Sequence, residues 1–500
     1  MSVTAKTDNL LFNEAAWTFQ DLQRAYDAIE DIGLNDLGLD TYANQIEVIT
    51  SEQMLDAYSS HGMPLMYRHW SFGKHFARDQ QSYQKGHSGL AYEIVINSDP
   101  CIAYLMEENS MTMQALVIAH ACMGHNHFFK NNYLFRQWTD ASSILTYLEF
   151  AKKYIAKCED EYGFDEVESV LDAAHALMDQ GVYRYNRPPK LSDSERVEKI
   201  RARAEHERET FNDLWRTLPN SEESEADQQE RQMEVANIKL PEENLLYFVE
   251  KASPSLLPWQ RELIRIVRNI SQYFYPQKQT KVMNEGCATF VHHYIMNELH
   301  ARGQISDGSV MEFLHSHSSV VFQPTFDDPR YSGINPYALG FAMMQDIVRI
   351  VETPEDEDRE WFPDLAGRGD WRGALKDAWA NYRDESFILQ YLSPKLMRDF
   401  RFFALGDDGK KPYYQVTAIH NEQGYRQARN SLSRMYDLGL HEPNLQVVAA
   451  DLSGDRKLVV QHTIYNGRKL DPATRGVVLG HLQTLWGYEV ELTEAKAEDI

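Results

Sequence analysis

Two segments far apart in the sequence carry residue types that bind metal ions. The first, VIAHACMGHNHFFKNN at residues 117–132, has an apolar approach to His120 and a second histidine, His125, five residues later. Zinc proteases place two histidine ligands four residues apart, with a glutamate base between them. Here the spacing is longer, and Ala121 stands at the position of that glutamate. The segment therefore departs from the common pattern in both spacing and base.

The five-residue spacing constrains the local geometry. Five residues of regular α-helix advance by about 500°, which leaves His120 and His125 roughly 140° apart on the helix surface. A π-bulge would bring the two onto one face. Alternatively, the helix ends at Gly124 and His125 turns back from the following loop. The simplest non-functional interpretation is that His120 is a buried, hydrogen-bonded core histidine.

The second segment, VMNEGCATFVHHY at residues 282–294, contains a glutamate near the start of a predicted helix. In gluzincin metalloproteases a glutamate on a second helix, often within N-E-G-x-A, is the third zinc ligand. Gly286 and Ala288 are small enough for two helices to approach closely. We therefore predict that His120, His125 and Glu285 bind Zn²⁺ or another divalent transition metal, with one position open for water.

Catalytic residues are predicted around this centre. His292 lies two helical turns beyond Glu285, about 10 Å along the axis, and could be an acid near the substrate or a packed histidine. No glutamate follows His120, so a base would come from elsewhere. The candidates are Glu93, in the strand-like LAYEIVIN, and Glu107 and Glu108 after it, of which Glu93 is the predicted base. Alternatively, these glutamates are solvated surface carboxylates. Tyr337, in a Gly/Pro-rich loop, is the third predicted catalytic residue.

Polar side chains in several aromatic loops could line a cleft for a polar or anionic substrate. Alternatively, they cap helix ends. His315 and His317 would lie on one side of an extended segment. The predicted substrate-binding residues are Lys74, Asn131, Asn132, His315, His317 and Asn335.

The composition limits the kinds of partner. Asp and Glu number 75 against 50 Lys and Arg in 500 residues, a net charge of −25 at pH 7. So acidic a surface argues against nucleic acid or a membrane as the main partner. No apolar run reaches the ~18 residues of a membrane helix, and the N-terminus lacks the pattern of a secretory signal. The four cysteines form no C-x-x-C pair, which predicts reduced thiols in a cytoplasmic protein.

Hydrophobic periodicity predicts an α+β chain with a large, mainly helical domain. The similarity of its two metal-binding segments to those of gluzincins implies that this domain is zincin-like. The element order over the last hundred residues, βαββαβ, is typical of a ferredoxin-like sandwich and predicts a C-terminal domain of that kind. The predicted regions are 1–190 (first part of the helical domain), 191–243 (a charged, partly flexible insert), 244–404 (second helical part) and 405–500 (the sandwich).

Long stretches of the chain resemble the SpoVR family, the stage V sporulation protein R group that includes YcgB-like proteins. The resemblance implies that the five-residue histidine spacing is a family pattern. The glutamate helix of that family commonly reads N-E-G-W-A-x-F-W-H, and Cys287 and Val291 replace both tryptophans here. The matching stretches include YANQIEVITSEQMLDAYSS, AYEIVINSDPCIAYLMEEN, TMQALVIAHACMGHNHFFKNNYLF, SQYFYPQKQTKVMNEG, FLHSHSSVVFQP and YSGINPYALGFAM.

The resemblance also implies a physiological setting. The family is linked to spore cortex formation in sporulating bacteria, and to stationary phase and stress responses in others, alongside a PrkA-like serine protein kinase and a YeaH-like protein. Two functions are compatible with this setting. One is a metal-dependent hydrolase acting on a peptide or cell-wall-related amide. The other is a non-catalytic regulatory or scaffold protein with a structural metal, which the missing base after His120 favours.

Overall fold

The computed structural model of the chain describes residues 9–54, 66, 67, 69, 93–184, 240–325, 328–402, 404–406, 415–418, 421–452, 454–465 and 467–496. The predicted substrate residue Lys74 and most of the predicted insert, 191–239, lie outside these residues. The chain divides into two compact units, each built from two stretches. They are Met1–Lys153 with Tyr275–Leu438, and Tyr154–Phe274 with Gly439–Ile500.

A small mixed sheet lies near the start of the first unit. Helix α1 (Phe19–Asp31) precedes it and begins with a capping box between Thr18 and Asp21. Its strands are β1 (Asn44–Ile49), β2 (Glu93–Ile96) and β3 (Cys101–Met106). They lie in the order β1-β3-β2, with β1 parallel and β2 antiparallel to β3.

Strand β2 directs Glu93 toward the helices. Side chains alternate between the two faces of a strand. Ile94 and Ile96 are buried, whereas Glu93 and Val95 are partly exposed. Val95 packs against the main helical core, so Glu93, on the same face, also points to that side of the sheet.

The remainder of the described chain is mainly helical. The central helix of the first unit is α9 (Lys281–Ala301), which lies against α2 (Met111–Ile118), α11 (Pro336–Glu352) and a π-helical segment described below. After α1 the α-helices are α2 (Met111–Ile118), α3 (Asn126–Asn131), α4 (Tyr133–Trp138), α5 (Ile144–Tyr162), α6 (Phe164–Ala176), α7 (Leu245–Ala252), α8 (Pro258–Gln279), α9 (Lys281–Ala301), α10 (Asp307–Val320), α11 (Pro336–Glu352), α12 (Asp356–Trp361), α13 (Trp371–Asn381), α14 (Asp384–Tyr391), α15 (Pro394–Asp399), α16 (Glu422–Met435), α17 (Leu438–His441) and α18 (Pro472–Trp486).

The second unit combines helices with a three-stranded sheet. Strands β6 (Asn444–Ala450) and β7 (Leu458–Ile464) are antiparallel, and β8 (Val490–Lys496) returns parallel to β7 after the crossover helix α18. Trp486 at the end of α18 is fully buried and stacks on Phe248, with ring centroids 5.9 Å apart. This stacking joins the crossover helix to α7.

The α+β class is confirmed, but a ferredoxin-like sandwich is not. That fold needs the strand before α16 to join the C-terminal sheet. Instead, β5 (Gln415–Ala418) pairs with β4 (Ala404–Gly406) in a separate two-stranded sheet. The chain passes from one compact unit to the other at three places, within α5, α8 and α17. The predicted regions stay a prediction. Strand pairing depends on distant partners, which element order alone does not specify.

Among the described residues, no helix has the length and apolar character needed to cross a membrane.

Candidate metal centre

The two histidines lie in a π-helical segment. Helix α2, whose residues are all buried, continues into the π-helix Ala119–His125 and then into α3. Hydrogen bonds in a π-helix join residues five apart, which brings His120 and His125 onto one face. Their ring centroids are 4.6 Å apart. This is the first of the two geometries that the five-residue spacing allowed.

Small residues bring the π-helix close to α9. A side-chain carbon added to Gly124 would lie 2.4 Å from the Cα atom of Ala288. On the other side of α9, a carbon added to Gly286 would lie 2.6 Å from the backbone of Gly340 in α11. These close approaches place Glu285 beside the two histidines.

Four side chains from three elements converge at this point. Glu93 Oε1 lies 3.1 Å from His120 Nε2 and 3.6 Å from His125 Nε2. Glu285 Oε2 lies 3.7 Å and 3.5 Å from the same two nitrogens. The side chains of the histidines are 7% exposed, and those of the two glutamates are 18% exposed. The cluster is therefore buried on its histidine side and more open on its carboxylate side.

The four distances between histidine nitrogens and carboxylate oxygens suit a single metal ion, and the ligand atoms of Glu93, His120 and His125 all lie within 4.8 Å of one another. Ligand atoms around tetrahedral zinc, with bonds of 2.0–2.2 Å, are about 3.3–3.6 Å from one another. The four measured distances, 3.1–3.7 Å, bracket that range. Glu285 Oε2 is also buried, with no hydrogen-bond partner among the described residues. A buried carboxylate oxygen without a hydrogen bond is costly, and a cation would satisfy it.

The electrostatics of the cluster favour a charged Glu285 carboxylate and a protonated His125. Burial by itself lowers the pKa of His125, but Glu285 and Glu93 outweigh it and raise that pKa to about 9. Burial by itself raises the pKa of Glu285, but His125 and His120 outweigh it and hold that pKa below its usual value. The site therefore attracts positive charge, as a proton or as a metal ion.

Helix α9 also supplies partners for the outer nitrogens of both histidines. His125 Nδ1 lies 2.9 Å from Asn284 Oδ1, and His120 Nδ1 lies 2.8 Å from His292 Nδ1. The Tyr337 hydroxyl hydrogen-bonds to the Glu285 carboxylate. Metal-binding histidines characteristically make such a second contact through the ring nitrogen that does not bind the metal.

The cysteines near the centre have no chemical role that the geometry supports. Burial raises the pKa of both Cys122 and Cys287 well above the ordinary value for a thiol. A protonated thiol is a poor metal ligand. Both residues therefore fit the interpretation of inert core cysteines.

Three predicted substrate-binding amides bind backbone groups. Asn131 donates to the carbonyls of Asp40 and His127. Asn132 caps α4 and donates to the carbonyls of Trp379, near the end of α13, and Tyr382, which follows that helix. Asn335 caps α11 and donates to two carbonyls at the end of α10. These contacts match the alternative that the polar loops cap helix ends.

The two histidines of the predicted extended segment lie on a helix instead. His315 is exposed on α10, whereas His317 is buried and its Nδ1 lies 3.0 Å from His292 Nε2. Two residues on a helix are about 200° apart, so the pair cannot face one ligand together. His317 thus joins the surroundings of the cluster, and His315 does not.

Comparison with known proteins agrees with the motifs. Residues 16–441 match the family described as SpoVR like protein, and residues 443–497 match the SpoVR-like C-terminal domain. The chain belongs to the SpoVR family. This SpoVR chain is similar to the Uncharacterized protein YcgB of Escherichia coli (strain K12). The two are 57% identical over 483 residues, which cover 97% of this chain and 93% of the relative. No solved structure matches.

Sequence reasoning missed the contact between Asn284 and His125, and it did not determine which glutamate reaches the cluster. The available signal for the first was an amide side chain directly before the predicted ligand Glu285. Of the three glutamates considered as bases, only Glu93 reaches the cluster, while Glu107 and Glu108 are exposed. Their order in the chain could not distinguish the three, because strand pairing decides which carboxylate faces the helices.

Proposed function

We propose that this SpoVR protein binds one divalent transition metal ion, zinc first among them, through His120, His125 and Glu285, with Glu93 beside the fourth position. The observation that supports the proposal is the convergence of two imidazole nitrogens and two carboxylate oxygens at distances of 3.1–3.7 Å. Imidazole and carboxylate ligands together suit zinc, iron and manganese.

We further propose that the centre is that of a zincin-like hydrolase. The layout supports this. Strand β2 lies at the edge of its sheet, the π-helix contains His120 and His125, and α9 contains Glu285. The bound metal would supply a Lewis acid and an acidified water molecule. Glu93, partly exposed and 3.1 Å from His120 Nε2, is placed to accept a proton at that position. Tyr337, on the Glu285 carboxylate, would orient that ligand.

A structural metal is the second candidate function, and Glu93 is the observation that favours it. If Glu93 is itself a ligand, two histidines and two glutamates complete a tetrahedron and leave no position for water. Closed four-ligand shells are typical of structural sites. In that case the protein is a metal-containing regulatory or scaffold protein.

Metal content tests the first proposal. Purified wild-type protein is expected to contain about one metal ion per chain by elemental analysis, and His120→Ala and Glu285→Ala are expected to lose it. His315→Ala, which changes an exposed histidine of α10, is the matched control and should retain the metal. Wild-type protein without stoichiometric metal after dialysis against each candidate ion would remove the basis of both functions.

Two substitutions of Glu93 separate hydrolase from structural centre. If Glu93 is a base, Glu93→Gln keeps the metal and abolishes hydrolysis of a fluorogenic peptide panel or of purified cell-wall muropeptides, typically by 10²–10⁴-fold. If Glu93 is a ligand, Glu93→Gln and Glu93→Ala both weaken metal binding. Glu107→Gln, at an exposed glutamate, is the control. Wild-type protein that holds metal but cleaves nothing in the panel would favour the structural role.

The physiological setting is proposed from the family resemblance alone. We expect a cytoplasmic protein that acts in sporulation, or in stationary-phase and stress physiology, together with a PrkA-like serine kinase and a YeaH-like protein. All four cysteines are free, which is compatible with a reducing compartment. Co-purification of the three proteins from stationary-phase cells tests this. Separate elution of the three at native expression levels would argue against it.

A further inference from the structure

Three histidines from three different helical segments form a continuous hydrogen-bonded line. His120 Nδ1, in the π-helix, lies 2.8 Å from His292 Nδ1 in α9. His292 Nε2 lies 3.0 Å from His317 Nδ1 in α10. All three side chains are buried. The line therefore runs from a proposed metal ligand to a helix that contributes no ligand.

The direction of the hydrogen bonds is the same along the whole line. A neutral imidazole has one N–H donor and one acceptor nitrogen. If His120 Nδ1 donates, His292 must accept at Nδ1 and donate from Nε2, so His317 accepts at Nδ1. If His120 Nδ1 accepts instead, His292 donates from Nδ1 and accepts at Nε2, so His317 donates from Nδ1. The state of His120 thus determines the tautomers of His292 and His317.

Glu93 sets one of these directions. A carboxylate only accepts hydrogen bonds. With Glu93 Oε1 3.1 Å from His120 Nε2, that nitrogen carries the proton when no metal is bound. His120 Nδ1 then accepts from His292. A metal at His120 Nε2 needs the lone pair of that nitrogen, so the proton must be on Nδ1, which then donates to His292.

The other histidine of the centre has no such freedom. Asn284 Oδ1, 2.9 Å from His125 Nδ1, is an acceptor. His125 Nδ1 therefore donates with or without metal, and His125 Nε2 remains directed at the cluster. His125 is thus oriented by a fixed acceptor, Asn284. His120 is oriented by His292 and His317, whose hydrogen bonds can run in either direction.

We propose that His120, His292 and His317 form a hydrogen-bonded chain that orients His120 for metal binding and reverses its direction when the metal binds. This inference rests on the proposed metal centre. In the reversal one proton passes from His317 Nδ1 to His292 Nε2 and another from His292 Nδ1 to His120 Nδ1. The proton of His120 Nε2 leaves toward Glu93, and His317 Nε2 takes one from water, so the number of protons on the chain is unchanged. His292 and His317 are positioning residues in this scheme.

Paired substitutions of His292 test the orienting role. His292→Leu removes the acceptor for His120 and is expected to weaken Zn²⁺ binding about 10–100-fold in a chelator competition assay. His292→Asn places Oδ1 where Nδ1 was and should restore an affinity close to that of wild type. His293→Leu, at the next residue of the same helix, is the control. Circular dichroism and urea unfolding establish that each variant folds, and equal affinities for the Leu and Asn variants would overturn the orienting role.

The reversal has a spectroscopic signature. In protein labelled with ¹⁵N at the histidine rings, long-range ¹H–¹⁵N spectra distinguish the two tautomers, and His317→Asn assigns the signal of His317. We expect His317 to change from the Nδ1–H to the Nε2–H tautomer on addition of Zn²⁺, whereas His125 keeps its proton on Nδ1. Zinc binding with an unchanged His317 would overturn this inference and leave the metal centre intact. Absence of zinc binding would overturn both.

Discussion

Substituting alanine for Gly124 tests how closely the π-helix packs on α9. The new Cβ atom would lie 2.4 Å from the Cα atom of Ala288, and the nearest neighbour is backbone, which cannot rotate away. Ordinary contact begins at 3.4 Å, so the two helices must separate by about 1 Å. Overpacking of this kind lowers the free energy of unfolding by about 1–3 kcal/mol. Replacing a helical glycine by alanine raises it by about 0.5–1 kcal/mol, which offsets part of that loss.

The same displacement acts on the metal centre. Gly124 precedes His125, and Ala288 lies three residues after Glu285, so the separation moves two proposed ligands apart. Metal–ligand distances tolerate deviations of only about 0.2 Å. We therefore expect Gly124→Ala to lower the free energy of unfolding by roughly 1–2 kcal/mol in urea and to release most of the bound metal.

Gly308→Ala is the matched control in the same unit. Its Cβ atom would meet only Ser306 Oγ at 3.6 Å, an ordinary contact within the first turn of α10. This variant should keep both its metal and its unfolding midpoint, or become slightly more stable. A Gly124→Ala protein with the stability and metal content of Gly308→Ala would refute the inferred close packing.

Three further predictions concern residues around the centre. Burial raises the pKa of Asp384 to about 7, although backbone N–H groups of Val282 and Met283 oppose the shift. The folded protein then binds this proton more tightly than the unfolded chain, so the free energy of unfolding should fall as pH rises from about 4 to 7. Urea unfolding across that range should show this decrease in wild type and not in Asp384→Asn. Asn132→Ala removes a helix cap and two hydrogen bonds to backbone carbonyls, and should lower the free energy of unfolding in urea by about 1–3 kcal/mol while metal content stays unchanged. Tyr337→Phe removes the hydroxyl from Glu285, and should weaken metal binding about 10-fold without changing stoichiometry, as measured by chelator competition.

The candidate ligands could be identified from the sequence because their signals are local. An apolar approach to His120, a second histidine five residues later, and a glutamate followed by small residues each describe a few residues of one helix. The spacing left two geometries, and the structure contains the π-helical one. The family could also be identified, since long matching stretches extend over most of the chain.

Polar residues in loops were harder to interpret. Amides such as Asn132 and Asn335 can bind a substrate or satisfy backbone carbonyls, and both roles suit the same sequence context. The structure shows them bound to backbone groups. The C-terminal strands presented the same difficulty, since the order βαββαβ does not determine which strands pair.

The sequence by itself determined the family, the α+β class and the positions of two helices that carry His120, His125 and Glu285. Only the tertiary structure decided that Glu93 faces those residues from an edge strand, and that His292 and His317 extend from His120 in one line. The physical reason is range. Helix periodicity and capping depend on residues within a few positions of one another. The convergence of a strand and three helical segments depends on how small residues such as Gly124 and Gly286 allow distant backbones to pack.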